Sequence, residues 1–272
     1  VVGECGGCQL QHIDYAAHLR LKRQQVADAL ERLGKLSGVT VHPTLGMADP
    51  WHYRNKAQFP VGWRAGRVIA GFFAPGTHRV VDIDQCQIQH PLGNRIMAEV
   101  KALAERYGVR IYDERTHTGV LRHVLARVGR GTGEAMAVLV TNGRDFPHGE
   151  AIARELMARI PEVVSVVQNI NPARTNVVLG RESRVLAGRD SITDYIGDLR
   201  FSISPVSFFQ VNPAQTEVLY GKALEYAGLT GTETVIDLYC GIGTISLFLA
   251  RRSRAVIGIE WVEEAVADAR QN

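Results

Sequence analysis

The sequence predicts a mixed α+β domain followed by the first part of an α/β domain with a parallel sheet. Over the first 200 residues, short strands with Pro and Gly turns alternate with helices, and several neighbouring strands have antiparallel signatures. From residue 234 a strand, a glycine-rich turn, a helix, a strand and a helix follow each other, as in right-handed parallel crossovers. The length of 272 residues also fits one large or two ordinary domains of roughly 100–200 residues.

In the first part, apolar residues at three- and four-residue steps predict a helix at residues 15–36, which Gly34 and Gly38 end. Further helices are predicted at residues 91–107 and 146–160. Alternating or apolar runs between turn residues predict strands at residues 58–63, 67–73, 121–128, 134–141, 163–169 and 175–179.

In the second part, we predict helices at residues 212–226, 244–252 and 262–271 and strands at residues 234–239 and 255–260. A doubly wound sheet needs about five or more strands, and only two occur before Asn272. We therefore expect the sequence to be a fragment that lacks residues at both ends. The predicted domains are residues 1–200 and 201–272, with the helix at 15–36 expected to pack on the second.

Charge and cysteine content narrow the function. Residues 1–200 contain 26 Lys+Arg and 20 Asp+Glu, so their net charge is positive, whereas residues 201–272 contain 5 and 8 and are net negative. This asymmetry suggests that residues 1–200 bind a polyanion. No run reaches the roughly 18 apolar residues of a membrane helix, and the start does not resemble a signal peptide. A Cys-x-x-Cys pair in such a chain indicates metal or redox chemistry and predicts a reducing, cytoplasmic compartment.

The strongest chemical motif is the turn at residues 237–244 (DLYCGIGT). A glycine-rich turn between a strand and a helix lets a ligand approach backbone amides, and Glu260, at the end of the next strand, can accept both hydroxyls of a ribose. The dinucleotide pattern requires a third glycine at position 246, where this chain has Ser246. This favours S-adenosylmethionine, which has no pyrophosphate, over NAD.

Cys5, Cys8 and Cys86 are candidate metal ligands, because two thiolates two residues apart can chelate one metal. Three cysteines are one short of an iron–sulfur cluster, and His12 would complete a zinc site instead. A redox dithiol and three unrelated buried cysteines are the remaining alternatives.

Two further segments are weaker candidates. Phe208 and Phe209, within residues 204–212, either stack on a base or fill the domain junction, and the latter is the more common role. Basic candidates for phosphate contact are more often solvated surface charges; they are Arg54, Lys56, Arg64, Arg67, Arg122 and His123.

Together these segments resemble the bacterial RNA 5-methyluridine methyltransferases, most closely the iron–sulfur enzymes that act on 23S ribosomal RNA. The resemblance extends nearly end to end and rests on motifs in the same order: residues 5–12 (CGGCQLQH), 53–56 (YRNK), 119–123 (GVLRH), 169–176 (NINPARTN), 207–212 (SFFQVN) and 237–243 (DLYCGIG). The implied fold class is an α+β iron–sulfur domain followed by the truncated start of a Rossmann-like S-adenosylmethionine methyltransferase domain.

The resemblance implies two cofactors. A four-iron, four-sulfur cluster would be held by Cys5, Cys8 and Cys86, with a fourth cysteine just upstream of Val1, so that His12 is not a ligand. S-adenosylmethionine would be bound by residues of the glycine-rich turn and its surroundings; these are Gln210, Tyr239, Gly241, Gly243, Thr244 and Glu260.

It also implies the reaction, methylation of uracil carbon 5 by a monomeric enzyme. A cysteine thiolate adds to carbon 6, carbon 5 then attacks the methyl group, and a base removes the carbon 5 proton. The family's nucleophile and base lie beyond Asn272, so we assign no catalytic residue here and predict that this fragment alone is inactive. The alternatives are a metal-stabilised RNA-binding module without catalysis and a tRNA uridine methyltransferase, although the cysteines argue against the latter.

Overall fold

A seven-stranded sheet forms the centre of the computed structural model, which describes residues 3–272. Its order is β3-β2-β1-β4-β5-β6-β7, and all pairs are antiparallel except β5 and β6. The strands are β1 (Lys56–Arg64), β2 (Arg67–Phe73), β3 (Val80–Asp82), β4 (Leu121–Val128), β5 (Ala135–Thr141), β6 (Val163–Ile170) and β7 (Glu182–Gly188).

Two helices, α2 (Pro91–Arg106) and α3 (Gly149–Arg159), cover one face of this sheet. Alternate strand residues such as Phe59, Val124 and Leu139 point to the helices and are at most 1% exposed. This packing explains why β5 is apolar at nearly every position: its other residues are buried against a second layer.

The second layer begins with a hairpin of β8 (Ile192–Ile196) and β9 (Leu199–Ile203). It continues with α4 (Pro213–Ala227), β10 (Thr234–Leu238), α5 (Thr244–Ala250), β11 (Ala255–Ile259) and α6 (Glu263–Gln271), in which β10 and β11 pair in parallel. A buried cluster, here called the junction core, joins this layer to the sheet; its members are Leu125, Met136, Val138, Val167, Ile192, Ile196, Phe201, Ile203, Phe209, Tyr220, Ile242 and Phe248.

The first helix, α1 (Tyr15–Asp28), begins where the Asp14 side chain accepts a hydrogen bond from Ala17 N, and it continues as a π-helical turn over Ala29–Leu33. The chain then returns along it, with Thr44 Oγ1 donating to Leu19 O at 3.0 Å. Gln215 of α4 donates to Leu45 O at 3.0 Å, so this returning segment also touches the second layer. No helix among residues 3–272 combines the length and the apolar character needed to cross a membrane.

The structure confirms the predicted helices and most strands, including both antiparallel hairpins and the parallel pair after residue 233. The predicted strand at residues 175–179 is wrong, because this stretch is a loop and the next strand is β7. The run Val177-Val178-Leu179 has strand propensity, but the Asn171 side chain bonds the carbonyl oxygens of Val177 and Val178, and Asn169 bonds the backbone of Gly180 directly after the run.

The predicted fold class, an α+β iron–sulfur domain followed by the truncated start of a Rossmann-like S-adenosylmethionine methyltransferase domain, is also wrong. Sheet residues such as Met136 and second-layer residues such as Phe201 and Ile242 share one buried cluster, the junction core. The periodicity of a strand shows which faces are apolar but not which segment covers them. The boundary at residue 200 stays a prediction.

Candidate cofactor site

The turn between β10 and α5 has the backbone of a ligand-binding loop. Tyr239, Gly241 and Gly243 have φ values of 62°, 55° and 82°. A Cβ added at Gly241 would meet no atom within 4 Å, so open space lies against this backbone. The turn therefore allows a ligand to approach the main chain closely.

Glu260 connects the end of β11 to this turn. Its carboxylate accepts hydrogen bonds from Gly241 N at 3.0 Å, from Val262 N at 3.0 Å and from Trp261 N at 2.8 Å. These backbone hydrogen bonds, that from Val262 first, lower the pKa of Glu260. The group is thus an anion at neutral pH, and its free acceptor position on Oε2 can accept a hydroxyl group of a ribose.

The position expected to hold a third glycine has a structural role. Ser246 of α5 donates a hydrogen bond to the carboxylate of Asp237 near the end of β10. This bond connects the strand before the turn with the helix after it. A dinucleotide would need a glycine here for close helix–strand packing, so this bond agrees with the sequence preference for S-adenosylmethionine.

Cys240 lies in the same turn but is poorly suited to act as a nucleophile. Its side chain packs on Gly258 of β11, where an added Cβ would lie 2.8 Å from Cys240 Sγ. Burial, and then the carboxylates of Asp237 and Glu260, raise the pKa of the Cys240 thiol. Since the thiolate is the reactive form, the site suppresses this reactivity.

Two contacts link the turn to the rest of the second layer. Thr244 Oγ1 and the Tyr220 hydroxyl of α4 are 2.8 Å apart, and Tyr220 lies in the junction core. The segment before α4 splits its aromatic pair: Phe209 is buried in the junction core, whereas Phe208 is 69% exposed. Only Phe208 is therefore free to stack on a base.

Gln210 follows these aromatics, and its carbonyl oxygen accepts a hydrogen bond from Asn55 Nδ2 at 3.2 Å. Hydrogen bonds thus connect Gly241 with Glu260 and Thr244 with Tyr220. Among residues 3–272, no hydrogen bond connects the side chain of Tyr239 or Gln210 with these four residues. Asn55 and Tyr220 were not singled out by the sequence, because their contacts are 155 and 24 residues away along the chain. The cofactor roles of all six predicted residues stay predictions.

The three candidate metal ligands lie near one another. Cys5 and Cys86 pack beside Ala74, Val81 and Ile83. The pKa of the Cys8 thiol is raised, first by burial and then by the neighbouring Cys86 and Cys5. Within residues 3–272 no three His, Cys, Asp or Glu side chains are arranged to hold a metal ion. The iron–sulfur cluster therefore stays a prediction, and no chemical step is derived from it.

The basic candidates differ in burial and in their partners. Arg122 is 6% exposed and donates to the carbonyl oxygens of Asn171 and Ala173, and burial lowers the pKa of His123 to about 4. Arg67 lies 3.5 Å from a carboxylate oxygen of Asp82. Arg54 and Lys56 instead flank Asn55, next to Gln210.

The chain is similar in sequence to proteins called RNA methyltransferases. The chain is 56% identical over 272 residues to a Halalkalibacterium halodurans protein and 52% identical to a Bacillus cereus protein, both called uncharacterized RNA methyltransferases. All of this chain is matched, but it spans only 59% of the length of each relative. No family model matches the chain.

Among solved structures, the chain is similar to the Pyrococcus abyssi tRNA (uracil-54, C5)-methyltransferase in complex with S-adenosyl-L-homocysteine. The TM-score is 0.78 at 26% identity, over 99% of this chain and 61% of the other. One methyltransferase thus matches nearly the whole chain, which overturns the predicted division into an iron–sulfur domain and the truncated start of a methyltransferase domain. It also gives no support to the predicted inactivity of this chain alone.

Proposed function

We propose that the protein transfers the methyl group of S-adenosylmethionine to carbon 5 of uracil in RNA. The observation that carries the proposal is the open turn at Gly241, to which the Glu260 carboxylate is hydrogen-bonded at 3.0 Å. The similarity to proteins called RNA methyltransferases supports RNA as the substrate. The structural similarity to a uracil C5 enzyme supports the target atom.

In this proposal Glu260 accepts a ribose hydroxyl group of the cofactor, and the backbone of Gly241 and Gly243 borders its adenosine. Tyr239 is 82% exposed beside the turn and offers an aromatic surface. The remaining predicted contacts come from Thr244 and Gln210.

S-adenosylmethionine supplies an electrophilic methyl group. Carbon 5 of uracil is a weak nucleophile, so we propose that a thiolate adds to carbon 6 and makes carbon 5 an enolate carbon. Carbon 5 then forms the new bond to the methyl carbon as the sulfonium–methyl bond breaks. A base takes the carbon 5 proton, and the carbon 6–sulfur bond breaks to release the thiolate.

We assign neither the nucleophile nor the base to a residue of this chain. The raised pKa of Cys240 and its packing on Gly258 argue against Cys240. Exposed Phe208 is placed to stack on the target base once that base has left its helix.

We propose 23S ribosomal RNA as the substrate, on the resemblance of the motifs and cysteine pattern to the enzymes of that branch. A tRNA substrate is the second candidate, because the similar solved structure is named as a tRNA enzyme. We further expect a monomer in the cytoplasm. That Cys5, Cys8 and Cys86 hold an iron–sulfur cluster stays a prediction, and the methyl transfer itself assigns the cluster no step.

The test is tritium release from RNA labelled at carbon 5 of uracil, with S-adenosylmethionine and the complete gene product. Release from 23S ribosomal RNA and not from tRNA is the expected result, and release from tRNA alone would favour the second candidate. An enzyme that binds S-adenosylhomocysteine but releases tritium from neither RNA would contradict methylation at carbon 5.

A matched pair of variants tests the cofactor site. Glu260→Gln keeps the shape of the side chain but removes its charge, and should weaken S-adenosylhomocysteine binding by about tenfold, as expected for a lost charge-assisted hydrogen bond. Glu263→Gln, at the start of α6, removes the same charge nearby and should leave the affinity unchanged. Calorimetric titration measures both, and equal affinities for the two variants would remove Glu260 from the site.

A further inference from the structure

Two cations face each other across the middle of the sheet. Lys56 of β1 and Arg127 of β4 are directly opposite partners in an antiparallel pair, where like charges are destabilising. Arg127 is only 2% exposed, and Lys56 is largely buried. A fold that keeps two partly desolvated cations together needs an anion or another source of stabilisation nearby.

The described part of the chain does not supply a paired carboxylate. None of the ion pairs among residues 3–272 includes Arg54, Lys56 or Arg127. Arg127 donates to Ser207 O at 2.7 Å, and its Nε has no acceptor among the described residues. Asp268 is the anion whose charge acts on Arg127, but among residues 3–272 the two form no ion pair, and the Asp268 carboxylate accepts hydrogen bonds from two serine hydroxyls through Oδ2.

Arg54 extends this group of cations toward the accessible surface. Its Nε donates to Lys56 O at 3.0 Å, which holds the guanidinium next to Lys56 and leaves its terminal nitrogens free to bind a ligand. Burial, then Arg127 and Arg54, lower the pKa of Lys56 to about 8, so the three charges act on one another. At neutral pH Lys56 is still mainly an ammonium.

The cations lie against residues 207–211, the segment that carries Phe208 and Gln210. Asn55, between Arg54 and Lys56, donates through its backbone N to Val211 O at 3.0 Å and through its side chain to Gln210 O. Together with the bond from Arg127 to Ser207, these contacts fix the cations against the segment that carries exposed Phe208.

We propose that Arg54 and Lys56 bind a phosphate group of the RNA substrate beside the target nucleotide, with Arg127 adding to the positive potential from behind. The proposal rests on the proposed function, since it requires an RNA ligand. A phosphate provides the anion that these residues lack, and it places the nucleotide chain next to Phe208. Phosphate contacts of this kind set the position of a nucleic acid and make binding depend on salt.

The experiment measures binding of a short fluorescein-labelled RNA hairpin by anisotropy, between about 50 and 200 mM salt. Lys56→Met keeps the apolar stem of the side chain and removes the charge. It should weaken binding about tenfold at low salt and reduce the salt slope by about one. The control is Lys222→Met, the same change at an exposed lysine of α4 that pairs with Glu225, and it should leave both quantities unchanged.

Two further measurements distinguish phosphate binding by Lys56 from a structural role and from binding of the cofactor carboxylate. The melting temperature of Lys56→Met should equal or exceed that of the wild type, because the variant relieves cation repulsion. Its affinity for S-adenosylhomocysteine should be unchanged, because the anion is a phosphate of RNA and not the cofactor carboxylate.

Three results would overturn the proposal. An unchanged salt slope with a lowered melting temperature would make Lys56 a structural residue. Loss of S-adenosylhomocysteine affinity with unchanged RNA binding would assign the site to the cofactor carboxylate. A wild-type protein that binds no RNA would reject the proposed function as well, which the first two results would not.

Discussion

The protonation of His123 is determined by its burial in the central sheet. It lies between Pro60 of β1 and Val140 of β5, and its Nδ1 has no hydrogen-bond partner among the described residues. Burial, with a smaller effect from Arg122, lowers the pKa of its imidazole to about 4. The residue is therefore neutral at pH 7, and the motif that suggested a cationic phosphate contact misled us about its charge.

The stability of the protein should consequently decrease as the pH falls from about 6.5 to about 4. In that range the unfolded chain binds a proton at His123 and the folded chain does not, so protonation favours unfolding. The shift corresponds to at most about 3 kcal/mol. Urea unfolding of the wild type and of His123→Gln, at about pH 7 and about pH 4.5, should show a smaller pH-dependent loss for the variant. Equal losses would mean that His123 titrates normally.

At the scale of elements, the loop between β6 and β7 is held by buried polar side chains. Asn171 Nδ2 donates to Val177 O at 2.7 Å and Val178 O at 3.0 Å, and Asn169 exchanges hydrogen bonds with Gly180 through its Nδ2 and Oδ1. Arg122 of β4 donates to two carbonyl oxygens of the same loop. The loop thus has one conformation without belonging to the sheet.

Asn171→Ala should loosen this loop and destabilise the protein by about 1–3 kcal/mol, because it removes two hydrogen bonds to Val177 O and Val178 O, each worth about 0.5–1.5 kcal/mol. Trypsin should then cut faster after exposed Arg174, since cleavage requires local opening. Asn176→Ala, in the exposed part of the loop, is the control and should change neither quantity. Equal cleavage rates for the two variants would show that the loop does not depend on Asn171.

The loop between β6 and β7 differs from its neighbouring elements, because local sequence patterns do not determine its conformation. Periodicity and turn residues located α2, α3 and the hairpin of β4 and β5, because local patterns determine those elements. Residues 175–179 look like a strand locally, but the Asn171 side chain bonds their backbone, and Asn169 and Arg122 hold the flanking residues of the loop. Likewise, the glycine-rich turn and Glu260 could be predicted, but the bond between Thr244 and Tyr220 could not.

At the scale of the whole molecule, the central sheet supports two different layers on its two faces. On β5, Leu139 packs with α2 and α3, whereas Met136 packs in the junction core with Ile242 of the cofactor turn and Phe209 next to Gln210. Sequence analysis placed a domain boundary near residue 200 and did not foresee that apolar residues from both sides share a core. The cofactor turn is therefore anchored to the central sheet through Ile242 in the junction core.

This arrangement predicts that two core variants on one strand differ in function but not in stability. Met136→Ala and Leu139→Ala each remove a fully buried side chain and should cost about 2–5 kcal/mol. Only Met136→Ala leaves a cavity in the junction core, to which Ile242 of the cofactor turn also belongs, so only it should weaken S-adenosylhomocysteine binding when both variants are folded. Thermal unfolding and calorimetric titration at low temperature measure the two effects. Equal cofactor affinities would show that the turn keeps its conformation without the junction core, and that the two layers are coupled in stability alone.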